Sequence, residues 1–249
     1  MTIKRIYPVA GVTLALSMAC AAYAAAASPG AGKVKSYDIV TEMRPESLET
    51  FLHLPRTAYD ICAMTRHNMK LGPALPFVTV PADFVFERKT YLRSGDAYLI
   101  RDEQFFVDIN DAQPEKGCKT RIAPHTTESV VRAGQLSRQE WDADGNVQTD
   151  EPDTIPPPYR KGDGFTEQKT VDGIAMRCIP VGGVIGPGQA MCAADAGTGV
   201  LVDGFGDPIL LYVRQTIPVY TNTTFLTKPV SVQIGKPVSQ QRISLSKVK

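Results

Sequence analysis

From Phe84 to its end the chain repeats one pattern: short runs of alternating apolar and polar residues, cut by turn-forming pairs. A period of two puts every second side chain on one face, so each run reads as a half-buried strand. Phe84 and Phe86 lead into residues 89–92, and Ser94-Gly95-Asp96 turns the chain into 97–100. Arg101-Asp102-Glu103 reads as the next polar turn and 104–109 as the next strand. Residues 119–122, 128–131 and 135–141 continue the meander, and Asp144-Gly145 is a hairpin pair because it accepts positive φ. Strands resume at 165–171, turn at Asp172-Gly173, and run on through 174–179, 188–194, 199–202, 209–219, 223–234 and 241–245. Short strands at a spacing of about 8–12 residues indicate a sheet-rich fold. The expected class is mainly β (α+β): a curved antiparallel sheet, half-barrel or sandwich, with one or two short helices near the N-terminus.

Those helices fall before the strands. Leu48, Phe51 and Leu52 recur at helical spacing within 45–54, and Pro55 is expected to end that helix. Residues 58–65 fit helix or strand equally. Residues 149–161 differ in composition, with Asp150, Glu151, Asp153 and Pro152, Pro156, Pro157 and Pro158. They read as an extended, acidic, proline-rich loop.

The first 27 residues read as a secretory signal peptide. Lys4 and Arg5 form a basic start, 9–22 an apolar stretch, and Ala22-Tyr23-Ala24 and Ala25-Ala26-Ala27 two cleavage patterns. The stretch falls short of the roughly 20 apolar residues a spanning helix needs. Residues 16–20 loosely follow a lipoprotein signal ending at Cys20, but Ser17 stands where a large aliphatic residue belongs, which favours cleavage at 24–27. Residues 28–249 then form one β-rich domain, periplasmic or secreted, with no later run apolar enough to cross a bilayer. Loss of Lys4 and Arg5 takes the formal charge from +1 to −1. A near-neutral domain is no electrostatic binder of nucleic acid.

Four cysteines remain: Cys62, Cys118, Cys178 and Cys192. An even number in an oxidising compartment points to two disulfides, with three possible connectivities. Residues 179–191 contain Gly182-Gly183-Val184-Ile185-Gly186-Pro187-Gly188, a loop by composition, so Cys178 pairs most simply with Cys192. Cys62 and Cys118 pair by exclusion. Without a C-x-x-C or interleaved histidines, no metal reading competes.

Catalytic signatures are missing. Residues 142–153 approach the spacing of a calcium loop, but Val147 stands at the position of the obligatory glycine, so a hairpin turn fits better. Pro156-Pro157-Pro158-Tyr159 and Asn222-Thr223-Thr224 match short eukaryotic motifs that an exported bacterial-type chain has no use for. His53, His67 and His125 form no metal or nucleophile pattern. No cofactor is implied.

The signal peptide, the early helix and the meander Tyr91-Leu92-Arg93-Ser94-Gly95-Asp96-Ala97-Tyr98-Leu99-Ile100 together resemble the periplasmic lipoprotein-carrier half-barrels of the LolA/LolB type. That resemblance implies an antiparallel sheet curled around an apolar cavity closed by helices. The expected function is an exported, non-enzymatic binding protein that holds an apolar ligand or a protein partner. Tyr91, Tyr98, Phe105, Phe106 and Trp141 are the candidate contact residues on the sheet, and Val184 and Ile185 those on the loop. Two alternatives stand beside it: a periplasmic immunity or inhibitor protein that plugs an enzyme with residues 179–191, and a hydrolase whose triad leaves no sequence signature.

Overall fold

The computed structural model describes residues 36–109, 112–154, 164–180, 189–197 and 199–246. Strand β1 (Ser36–Pro45) leads to helix α1 (Leu48–Asn68), and ten more strands follow. They are β2 (Glu87–Ser94), β3 (Ala97–Asp108), β4 (Arg121–Arg132), β5 (Gln135–Trp141), β6 (Val147–Thr154), β7 (Glu167–Val171), β8 (Ile174–Cys178), β9 (Ala190–Ala194), β10 (Leu210–Ile217) and β11 (Thr223–Ile234). All belong to one sheet in the order β6-β5-β4-β3-β2-β1-β11-β10-β9-β8-β7. Every neighbouring pair is antiparallel. The first and last strands meet in the middle, Tyr37 opposite Ile234 and Pro45 opposite Phe225, and a meander runs outward from each.

The sheet is curved. β6 and β7 sit at opposite edges, yet only residues 155–166 join them. A flat sheet of eleven strands is about 48 Å across. Thirteen extended steps from Thr154 to Glu167 reach about 45 Å. The two spans are nearly equal, so a flat sheet leaves the link almost no slack. Tyr91 of β2 shares a buried cluster with Met176 of β8, five strands along, so the sheet curls, and it does not close.

Three expected breaks in the strands are absent. Arg101-Asp102-Glu103 is no turn; β3 runs through it, and Arg101 and Asp102 both find partners across the sheet. Asp102 meets Lys89 at 3.3 Å and Arg101 meets Glu128. Residues 121–132 are likewise one strand, and the acidic part of the expected 149–161 loop is edge strand β6 as far as Thr154. At the chain end the reverse holds: residues 241–245 are not a strand but part of a strap, with a 3-10 turn at Gln240–Arg242. The turns themselves fall as their residues require. Gly95, Gly145, Asp172 and Gly173 all carry positive φ.

The sheet is covered on both sides. On the inner face, which carries α1, Tyr37, Ile39 and Tyr91 pack with Met176 of β8, Cys192 of β9, Leu211 of β10 and Ile209 just before it. On the outer face, Val238 and Ile243 of the strap press on Leu92, Leu99 and Val130. Arg242 pairs with Asp38 at 2.6 Å, and the Arg132 guanidinium donates to the Gln240 carbonyl. Double coverage explains why adjacent residues such as Tyr91/Leu92, Tyr98/Leu99 and Val130/Val131 are buried together. Simple alternation would bury only one of each pair.

The disulfides are Cys62–Cys118 and Cys178–Cys192. The first ties α1 to the segment before β4; the second joins two directly opposed residues of β8 and β9.

Candidate functional site

Among the described residues, helix α1 is the one long element outside the sheet. Ser47 caps it, its Oγ accepting from the Thr50 N–H at 3.2 Å. The helix then runs through Pro55 for 21 residues, where the sequence predicts a short helix over 45–54 that Pro55 ends and leaves 58–65 open between helix and strand. A proline in a helix interior removes one backbone hydrogen bond and costs about 3 kcal/mol. Tertiary anchors on either side offset that. Upstream, Phe51 enters an aromatic cluster with Phe84, Phe86, Tyr220 and Phe225 at centroid distances of 5.5–6.0 Å. Downstream, Cys62 bonds to Cys118, the Tyr59 hydroxyl donates to the Leu75 carbonyl at 2.6 Å, and the Arg66 guanidinium donates to the carbonyls of Leu71, Pro73 and Pro114.

These anchors fix the helix but cover little of it. Only Phe51 and Cys62 are buried. At 100° per residue Leu54, Ile61 and Met64 share a sector that those two do not occupy. They are 51%, 56% and 59% exposed. Met69, Leu71 and Leu75, in the turn and return segment after the helix, are exposed as well. Among the described residues, six of the eight exposed large hydrophobic side chains thus lie between Leu54 and Leu75; Val202 and Val230 are the others. Sequence reasoning misses this surface because Pro55 signals a stop. The 7- and 3-residue spacing of Leu54, Ile61 and Met64 is the signal that could have found it.

The residues singled out on the sheet form no common surface. Tyr91 and Tyr98 are buried. The Asp203–Asp207 loop lies over Tyr98, with Phe205 edge-on to its ring at 5.6 Å. Gly204 approaches so closely that a Cβ there would stand 1.8 Å from the ring. Phe105 and Phe106 are half-buried against the cluster that holds Phe51. Trp141 ends β5, half-buried between Thr126 and Val147 in the neighbouring strands. Val184 and Ile185 lie outside the described residues, as does most of the 179–191 loop.

The inner face also carries an ion cluster. Lys89 Nζ lies 3.1 Å from Glu87 and 3.3 Å from Asp102, and Gln104 donates to Glu87 at 3.3 Å. Burial works against the ammonium, but the two carboxylates outweigh it and hold Lys89 above the ordinary lysine range. An amine kept charged in this way is no nucleophile. Burial pushes Asp102 up to about 6 against the pull of Lys89. His125 pairs with Glu140 at 2.8 Å, whereas His53 and His67 are exposed on α1. Among the described residues no hydroxyl or thiol hydrogen-bonds to a histidine, and no group of three or more His, Cys, Asp or Glu is placed to hold a metal ion. No described helix is long and apolar enough to cross a membrane.

Compared with protein-family models, curated proteins and solved structures, the chain finds no match. Its function has to be argued from its own surface.

Proposed function

We propose that this is an exported, non-enzymatic binding protein and that it binds a protein partner through the apolar surface of α1. The supporting observation is the concentration of exposed apolar side chains between Leu54 and Leu75. Burying one such side chain contributes about 1.5–3 kcal/mol, so a protein gains nothing by leaving several in water without a partner for them. The helix is also preorganised. The Cys62–Cys118 bond and the Arg66 hydrogen bonds hold it before any partner arrives, which lowers the ordering cost of association. The basic, apolar, small-residue start of the chain supports export, and the two disulfides fit an oxidising compartment.

The test is native mass spectrometry of the mature protein recovered with whatever it carries from the cells that export it. An adduct of protein size, with a mass other than that of a second copy of this chain, is expected, and Ile61→Glu with Met64→Glu should remove it while leaving the melting temperature unchanged. An adduct of lipid mass that survives both substitutions would overturn the reading in favour of a lipid carrier.

A further inference from the structure

Strand β7 ends the sheet, and among the described residues nothing pairs with its far side. The sequence of the other edge strand, β6, contains Asp150, Pro152 and Asp153, and charges and proline are common means of blunting an exposed edge. β7 reads Glu-Gln-Lys-Thr-Val: it carries one charge of each sign but no proline, and its pairing with β8 has no irregularity.

Its hydrogen-bonding direction follows from the hairpin. Val171 faces Ile174 across the two-residue turn Asp172-Gly173, both at positive φ. The pair that closes such a turn exchanges backbone hydrogen bonds. Lys169 and Glu167 therefore also aim their N–H and C=O groups at β8. The opposite side of β8 agrees, because Ala175 and Ile179 bond instead toward β9: the Asp195 N–H donates to the Ala175 carbonyl at 3.1 Å, and the Ile179 N–H to the Met191 carbonyl at 3.0 Å. Gln168 and Thr170 are left with their backbone groups pointing off the sheet.

We propose that β7 pairs antiparallel with β7 of a second copy of this chain, about a two-fold axis through Gln168. Only the outward residues can form the hydrogen-bonded pairs, which leaves three symmetric registers. Thr170 on Thr170 sets Lys169 against Val171 and leaves Glu167 unpaired. Gln168 on Thr170 sets Lys169 directly against Lys169, and like charges in that position destabilise. Gln168 on Gln168 sets Glu167 of each copy against Lys169 of the other, twice. Both side chains are about 40% exposed, at 43% and 40%, and pair with each other within the strand at 3.0 Å, so both heads already lie on one face. The contact is isologous. It uses up the β7 edge of both copies and closes at two.

Mass measurement by size-exclusion chromatography with light scattering, on the non-reduced mature protein at about 100 μM, tests this. A dimer is expected. Lys169→Glu and Glu167→Lys each put like charges together twice and should weaken the dimer at least tenfold. The double exchange Glu167→Lys with Lys169→Glu restores both pairs and should restore the dimer. Ile61→Glu on α1 should leave it intact, which separates this contact from partner binding. All these side chains are exposed, so circular dichroism should not change, and melting should match the wild type at concentrations too low for the dimer. A monomeric wild type overturns the proposal. So does a dimer that the single reversals leave untouched, or that the double exchange fails to restore.

Discussion

Glu128 illustrates how this protein carries charge inside a sheet. It is 1% exposed on the outer face. Arg101 Nε donates to it at 2.6 Å, and the Ser246 N–H and hydroxyl donate at 2.7 Å each, so the strap ends on a buried carboxylate. Glu128→Ala strands Arg101 and an N–H together. It is expected to cost about 3 kcal/mol in urea unfolding, and to expose the chain after Ile234 to protease before global unfolding. Asp203 makes a different prediction. Burial pushes its carboxyl up to about 6, although the N–H groups of Phe205 and Asp207 donate to it at 2.8 and 3.1 Å. In the unfolded chain it titrates near 4. Between those values the folded state holds the extra proton, so this contribution is complete below about pH 4 and lost as pH rises through about 6. Thermal melts from pH 4 to 8 should show Asp203→Asn gaining on the wild type as pH rises, by on the order of 2 kcal/mol. A constant difference would contradict it. Neither residue was legible in advance. Arg101-Asp102-Glu103 reads as a turn because the partners that make it strand, Glu128 and Lys89, lie on other strands.

At the scale of elements, α1 shows where local reasoning stops. Leu48, Phe51 and Leu52 announce its start, and Pro55 marks an end in sequence terms because a proline cannot complete the ladder. The second half persists through contacts made by residues far along the chain, Cys118 above all. That dependence is testable. Cys62→Ala with Cys118→Ala opens a bond spanning 56 residues, worth about 4 kcal/mol on the chain-entropy model. Hydrogen exchange is expected to rise in 59–68 well beyond the rise in the strands. Uniform loss of protection would mean that α1 folds only with the whole. The hairpins behave oppositely. Asp172-Gly173 sets its turn by backbone preference alone, so both its position and its register are readable from two residues.

At the scale of the molecule, the mainly β, antiparallel, curved sheet was legible in the periodicity, because alternation and turn residues are local signals. The strand order was not, since β1 and β11 meet at the centre from the two ends of the domain. Nor was the strap, which covers the outer face of a sheet whose alternation implied one wet side. Long-range packing on the inner face decides which aromatic residues remain available: the curl of the sheet buries Tyr91 and the Asp203–Asp207 loop covers Tyr98. Among the described residues, most of the exposed large apolar side chains then lie between Leu54 and Leu75. The most direct measurement compares two positions in the cells that make the protein. A photo-activated cross-linking side chain replaces Ile61 on α1 in one variant and Phe106 on the inner face in another. A discrete protein-sized product from position 61, and none from 106, is the result expected. A lipid-sized product from position 106 with nothing from 61 would contradict the account and place the ligand inside the curl of the sheet.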